Sequence, residues 1–392
     1  MNSEHRHELR YQRRKKKREE RRRARCEQLG TVDEIFSFYN IFRYGKKCCK
    51  GVRWKQSTQN FELHLFSYSA STRKRVTEGR WKGKGYTHFL LSERGKVRPI
   101  DAPKIRDRVV HKILTEKVLY PLYRPSMIRD NGASQKFMGL SFAFNEVKKD
   151  LRRHFRKYGM TGVNGSADLK NFFPGCEHFA IFQRHDRYIL DGKLRNLCDQ
   201  VIFDFEDHTG TETGMPLGVE PSQIEMVSLP SKVDNHVKCQ LSVKAFGHYM
   251  DDYRFTVNTR EEAEELLKDA AHRFNNLGLR INPNKCKILS IDKPFKYCKA
   301  TFRLLPTGRV LVRGNRASLK RARHKLKSFS IKAQNGQMDM KTINEWYQTQ
   351  IAYFNNYDDH NRVLRLNRLY YNLFGGAYPC IEFSKKTEPK SA

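Results

Sequence analysis

Val243-Lys244-Ala245-Phe246-Gly247-His248-Tyr249-Met250-Asp251-Asp252-Tyr253-Arg254-Phe255-Thr256-Val257 sets two short apolar runs around the tetrapeptide Tyr249-Met250-Asp251-Asp252. The runs, Val243–Phe246 and Tyr253–Val257, predict strand, tight turn, strand. Two adjacent carboxylates at such a turn repel each other, which is costly unless a cation lies between them. The pattern points to a divalent metal, and with it to phosphoryl or nucleotidyl transfer.

A two-metal site calls for a third carboxylate. Asp168, in Gly165-Ser166-Ala167-Asp168-Leu169-Lys170-Asn171-Phe172-Phe173, ends an apolar strand before a turn at Pro174-Gly175. Two strands side by side would bring Asp168 against Asp251. Two Mg²⁺ ions about 3.5–4 Å apart could then activate a 3′-hydroxyl and stabilise a leaving pyrophosphate, and Mn²⁺ could substitute. Mg²⁺ is commonly held by few carboxylates plus substrate phosphates, so Asp168, Asp251 and Asp252 suffice as ligands.

Charge narrows the partner. Among 392 residues, 76 Lys and Arg face 42 Asp and Glu, a formal net charge of +34, with 38% hydrophobic residues. The length allows two or three subdomains around a sizeable core. So large an excess of charge self-repels unless an anionic partner neutralises it, and nucleic acid fits that role. A membrane surface is the alternative, but no apolar run of about 18 residues spans a bilayer. The charged N-terminus does not resemble a signal peptide. Nine scattered cysteines without a Cys-x-x-Cys pair argue against a zinc knuckle or a disulfide framework and fit a reducing cytoplasm.

Residues 1–30 form a basic arm: positions 5–25 hold twelve Lys and Arg against three Glu. It reads as a solvated, partly disordered segment or as an arm that folds onto RNA phosphates. Val32, Ile35, Phe36, Tyr39 and Phe42 fall at helical spacing. A segment near Trp81–Leu91 reads as a strand, through Tyr86-Thr87-His88-Phe89-Leu90-Leu91, broken by Gly95. Helices are predicted over 106–120, Phe142–Tyr158 and Glu261–Leu277. A loop at Pro216, Gly218 and Pro221 leads into a helix near Ser222–Val237, kinked by Pro230. Strands follow near Lys287–Ile291 and Lys299–Leu305. Leu319, Ala322, Leu326 and Phe329 share one helix face opposite a basic one. Trp346–Tyr353 and Val363–Phe374 complete a helical cap ended by Gly375-Gly376.

These motifs, in this order over residues 80–375, resemble a reverse transcriptase. Asp168, Lys170, Phe172 and Phe173 match the family's Asp-x-Lys-x-Phe-Phe, and Tyr249 to Asp252 its Tyr-x-Asp-Asp box. The resemblance implies an α+β right-hand polymerase: fingers over 31–160, a palm with an antiparallel sheet over 161–310, a helical thumb over 311–376 and a tail over 377–392. It implies that Asp168 and Asp251 bind both metals with Asp252 in support. Phe173 would exclude a ribose 2′-hydroxyl, the alternative being an ordinary core Phe. Lys96-Val97-Arg98-Pro99 with Asp107-Arg108 resembles the fingers segment that holds the triphosphate, with Arg98 ahead of Lys96 because a guanidinium binds phosphate bidentately. Asn131 to Lys136 resembles a turn found in bacterial relatives, where template contact and plain turn geometry are both open. Gly278-Leu279-Arg280-Ile281-Asn282-Pro283-Asn284-Lys285 resembles the family segment whose Lys lies near pyrophosphate; a solvated Lys after a turn is the alternative. Phe295 to Phe302 resembles the primer-gripping hairpin, which with the box offers Tyr249, Tyr297 and Lys299 to primer and template.

The loop Gly214-Met215-Pro216-Leu217-Gly218-Val219-Glu220-Pro221-Ser222-Gln223 departs from the family, which has Gln-Gly and Ser-Pro where this chain has Leu217-Gly218 and Ser222-Gln223. The variant resembles bacterial reverse transcriptases of diversity-generating retroelements and of phage-defence lineages. Gln223 borders the nascent base pair on this reading. The expectation is RNA-templated DNA synthesis from deoxynucleoside triphosphates in a bacterial cytoplasm, on a dedicated structured noncoding RNA, in antiphage defence. An accessory protein or a second copy of the chain is a further expected partner, and no nuclease or integrase module is expected. Rivals are a retroelement enzyme, template-independent or protein-primed DNA synthesis, and a catalytically idle RNA-binding scaffold.

Overall fold

The computed structural model describes residues 3–93 and 95–376; the expected tail over 377–392 lies outside them. Helices and antiparallel sheets make up the chain, the α+β class expected. It divides into two compact units. One comprises the chain up to Ala143, Ala167–Phe255 and Glu261–Cys286; the other comprises Phe144–Ser166, Thr256–Arg260 and the chain from Lys287 on.

In the first unit, Ser3–Gln28 is a continuous helix rather than a loose arm. Arg, Lys, Glu and Gln are good helix formers, and no Gly or Pro interrupts them. Gln12 donates to Glu8 one turn away. The C-terminal end of the helix docks: Cys26 Sγ donates to the Tyr188 carbonyl (3.1 Å) and Arg22 Nη1 to the Arg187 carbonyl (3.1 Å). The periodic run from Val32 breaks into Val32–Ile35 and Phe38–Cys49, because Ser37 caps the second helix and leaves Tyr39 exposed. Ile41, Tyr44, Cys48 and Cys49 pack in one core with Val109, Val110, Ile113 and Leu114 of the helix Ile105–Leu114.

Strands β1 (Tyr86–Glu93) and β2 (Lys96–Pro103) form a hairpin closed by Gly95 at φ 78°. Strand β3 (Val163–Lys170) runs from one unit into the other. β4 (Phe246–Tyr249), β5 (Asp252–Val257) and the short β6 (Arg280–Ile281) join it in the order β4-β5-β3-β6. β4 starts at Phe246, later than the expected Val243, because Ser242 adopts φ 58° and Lys238 Nζ donates to the Lys244 carbonyl, which holds the preceding residues in a loop. Pro230 breaks the helix that follows the Gly214–Gln223 loop, giving Glu220–Ser228 and Ser231–Asn235.

In the second unit, β7 (Lys287–Ser290) pairs with the opening residues of β3. β8 (Phe295–Tyr297), β9 (Ala300–Leu304) and β10 (Val310–Arg313) form a three-stranded sheet. The helices Arg316–Gln334, Met340–Phe354 and His360–Phe374 bury Ala322, Leu326, Phe329, Ile343, Tyr347 and Leu366 among themselves, as the apolar stripe predicts. Gly375 ends the last helix in the left-handed region (φ 69°), where glycine carries no Cβ penalty. Among the described residues, no helix is long and apolar enough to cross a membrane.

Candidate active site

Tyr249 and Asp252 face each other across β4 and β5, so Met250 and Asp251 form a two-residue turn. Met250 holds φ 56°, a conformation that costs a non-glycine residue on the order of 1–3 kcal/mol and that collects at functional sites. The turn lies against β3: the Leu169 N–H donates to the Asp251 carbonyl (3.1 Å). On the other side of β3, the Asn282 N–H donates to the Asp168 carbonyl (2.7 Å), next to the Leu169–Ile281 pair. Asp168 is therefore clamped between the carboxylate turn and the segment that carries Lys285. The Asn282 side chain caps the single-turn helix Pro283–Lys285, and from it Lys285 Nζ reaches Asp168 Oδ2 at 2.7 Å.

The electrostatics follow from this packing. Burial raises the Asp251 carboxyl above the ordinary Asp range, and the Asp168 charge raises it further, against the opposing fields of Lys285 and Arg98. The bond to Asp168 raises the Lys285 ammonium above the ordinary Lys value, with Asp251 and Asp252 adding to it. Lys285 thus supplies positive charge beside the neighbouring Asp168 and Asp251 carboxylates. Among the described residues, no three His, Cys, Asp or Glu side chains converge into a ready-made metal cage. The donor set is instead a pair of hard carboxylate oxygens with Asp252 adjoining. That set fits a hard divalent cation whose remaining positions go to phosphate and water.

Arg98 is exposed on β2, paired with Leu91, and its charge reaches Asp251. Lys96 stands opposite Glu93 at the start of the same strand. Phe173 is half-buried just past β3 and packs edge-on against Phe172. Its carbonyl accepts from Met215 N–H (2.9 Å), and Cys176 accepts from Gly214 N–H (2.8 Å), so the atypical loop is stitched to the turn that follows Asp168. No motif or periodicity marks the residue that locks this junction. Buried His178 donates from Nε2 to the Gly214 carbonyl (2.5 Å) while Nδ1 meets Glu206 (2.6 Å).

Gln223 Oε1 accepts from Ser134 Oγ (3.0 Å), and Asn131 Nδ2 donates to the Val227 carbonyl (3.0 Å). The small-residue turn is thus tied to the helix that follows the loop. It also lies on β4, where Asn131 bridges His248. Gly247 permits this, since a Cβ there would stand 2.9 Å from Asp130 backbone and side-chain atoms. Tyr249 is half-buried against the core of the first unit.

The β8–β9 hairpin turns through Cys298 and Lys299 at φ 49° and 64°. Tyr297 is only 3% exposed, packed inside by the alternation of β8, so of the two hairpin candidates Lys299 is the one that faces solvent.

A family model described as "Reverse transcriptase (RNA-dependent DNA polymerase)" matches residues 82–302, more than half of the chain. No curated protein matches. Two solved structures are similar. The apo telomerase of Candida tropicalis, truncated from its C-terminal domain, has 14% identity and a TM-score of 0.44, over 63% of this chain and 60% of that one. The telomerase of Candida albicans with a TWJ fragment of telomeric RNA has 10% identity and a TM-score of 0.47, over 80% of this chain and 65% of that one. This chain therefore spans less than two thirds of either. The family match takes in every candidate residue from Lys96 to Lys299, and on it the chain belongs to the reverse transcriptase (RNA-dependent DNA polymerase) family.

Proposed function

We propose that the chain is an RNA-directed DNA polymerase that extends a primer 3′ end with deoxynucleotides on an RNA template. The observation that carries this reading is the backbone bond from Leu169 to the Asp251 carbonyl (3.1 Å), which sets the Asp168 and Asp251 segments side by side. Asp168 and Asp251 would hold divalent metal, with Asp252 in support. Two Mg²⁺ ions, with Mn²⁺ as a substitute, suit so small a carboxylate set. When bound, the metal supplies Lewis-acid charge at the 3′-hydroxyl and the triphosphate.

The chain's own residues do the rest. Arg98 and Lys96 would bind triphosphate oxygens, and Phe173 would close the sugar pocket against a 2′-hydroxyl. Gln223 would border the new base pair, while Tyr249 and Lys299 would contact primer and template. Lys285 keeps its proton beside Asp168 and could pass it to the leaving pyrophosphate. We assign fingers to 31–160, palm to 161–310 and thumb to 311–376.

For the biological role we propose antiphage defence in a bacterial cytoplasm, on a dedicated noncoding RNA and with an accessory protein or a second copy of the chain. Leu217-Gly218 and Ser222-Gln223 support a specialised lineage of this kind. The full chain, given an RNA template, a DNA primer, deoxynucleotides and Mg²⁺, should extend the primer in a templated sequence. Asp251→Asn with Asp252→Asn should abolish extension while RNA binding persists. Extension without template, or by the double variant, would overturn the reading. Sequencing the copurifying nucleic acid should return one noncoding RNA and its DNA copy; a variable-repeat copy would favour a retroelement.

A further inference from the structure

Away from the carboxylates, the first unit holds a cavity of about 450 Å³ whose wall includes Arg184, Arg187, Tyr188 and Lys232 over Leu229 and Leu277. Arg184, on the helix His178–Tyr188, is 7% exposed. Its guanidinium lies 4.3 Å from the Tyr123 ring centroid and 4.9 Å from that of Tyr188. Nη2 donates to Ser126 Oγ at 3.3 Å, but Nε has no hydrogen-bond partner. Arg22 of the basic N-terminal helix sits 5.3 Å from the Tyr188 centroid.

The acid in the wall, Asp186, is paired with Arg195 at 3.4 Å and does not neutralise this group. Burial and the charges of Arg187 and Arg184 lower the Lys232 ammonium below the ordinary Lys value. Burial would raise the Tyr188 phenol, yet Arg184, a bond to Ser126, Arg187 and Arg22 bring it below the ordinary Tyr value. Arg184, Arg187 and Lys232 thus bring three cations to the wall of one concavity. Guanidinium groups match phosphate oxygens in geometry as well as charge.

We infer that this cavity is a phosphate site for RNA outside the polymerising centre, formed by Arg184, Arg187 and Lys232 and continued by Arg22. The net charge of +34 and the helix Ser3–Gln28 anchored at Arg187 and Tyr188 extend a basic track from it. The inference rests on the polymerase reading only for the identity of the polyanion.

The test is binding of a short labelled single-stranded RNA to the full chain by fluorescence anisotropy over a salt series, without nucleotides. Arg187→Glu with Lys232→Glu, both exposed positions, should weaken binding about tenfold at low salt and reduce the log K against log salt slope by about 1.4, or ~0.7 per phosphate contact. Arg73→Glu with Lys74→Glu, an equal charge change on the helix Leu65–Thr77, should cost much less. Equal losses in both variants would mean only a general charge effect and would overturn the site. Calorimetry with ATP as a second probe separates the sources: ATP binding lost while RNA binding persists would make the cavity a free-nucleotide site and overturn the RNA reading. No extension is measured, so failure here leaves the Asp251→Asn, Asp252→Asn result untouched.

Discussion

The Lys285 ammonium lies 2.7 Å from Asp168 Oδ2, across 117 positions of sequence. The Lys285 side chain is 58% exposed, so solvent screens the pair and it contributes little to stability. What it does hold is a protonated amine beside the candidate metal-binding carboxylates. Lys285→Ala should slow single-nucleotide incorporation about a hundredfold with the thermal midpoint nearly unchanged, and Lys285→Arg should recover part of the rate. An undiminished rate in Lys285→Ala would reduce this residue to a surface lysine.

Phe173 is half-buried, and its carbonyl holds Met215 at 2.9 Å through the backbone alone. Substitution of the side chain therefore spares the junction between the Asp168 turn and the atypical loop. Phe173→Ala should lower the preference for deoxynucleotides over ribonucleotides at least tenfold, an effect of about 1.4 kcal/mol or more. The ratio of kcat/KM for the two nucleotide types reads this directly. A loss of thermal stability with the ratio intact would make Phe173 a core residue instead.

The parts of the site that were legible in the sequence are those where chemistry and local pattern coincide. Asp251 and Asp252 sit at a strand turn that apolar alternation marks on both sides, and Asp168 ends a strand before Pro174-Gly175. The helical stripe of Leu319, Ala322, Leu326 and Phe329 is a periodicity, so it too could be read. The residues that escaped depend on tertiary contacts. His178 is a lone histidine whose role exists only because Gly214 and Glu206 come to it. With no apolar face, the basic arm reads as a solvated segment or one that folds onto RNA, yet side-chain and sulfur bonds to the Arg187 and Tyr188 carbonyls fix its end. Tyr297 reads as a contact residue by motif, but strand alternation turns it into the core.

Ser134 and Gln223 meet at 3.0 Å, 89 positions apart, at a partly exposed contact between the small-residue turn and the helix after the loop. A hydrogen bond of this kind is worth about 1 kcal/mol. Ser134→Ala and Gln223→Ala should each raise the KM for nucleotide a few-fold, and the double variant should add little to either single change. Strictly additive effects in that cycle would show that the two side chains act independently.

His185 should give the chain a pH-dependent stability. It is 1% exposed in its side chain, with Nδ1 2.5 Å from Asp199 and Nε2 2.9 Å from Glu225. Burial lowers its pKa, but the Glu225 and Asp199 carboxylates more than reverse this and bring it up to about 9, against an ordinary 6.5. The folded state therefore holds the proton more tightly than the unfolded chain. The resulting stabilisation is fully present below pH 6.5 and is lost as pH rises through about 9. Each unit of that difference is worth about 1.4 kcal/mol. Urea melts of the full chain across this window should show the midpoint falling toward alkaline pH. His185→Gln should be less stable at pH 6.5 and should flatten the dependence. A wild-type midpoint that stays level over the window would show that the imidazolium is not held by these two carboxylates.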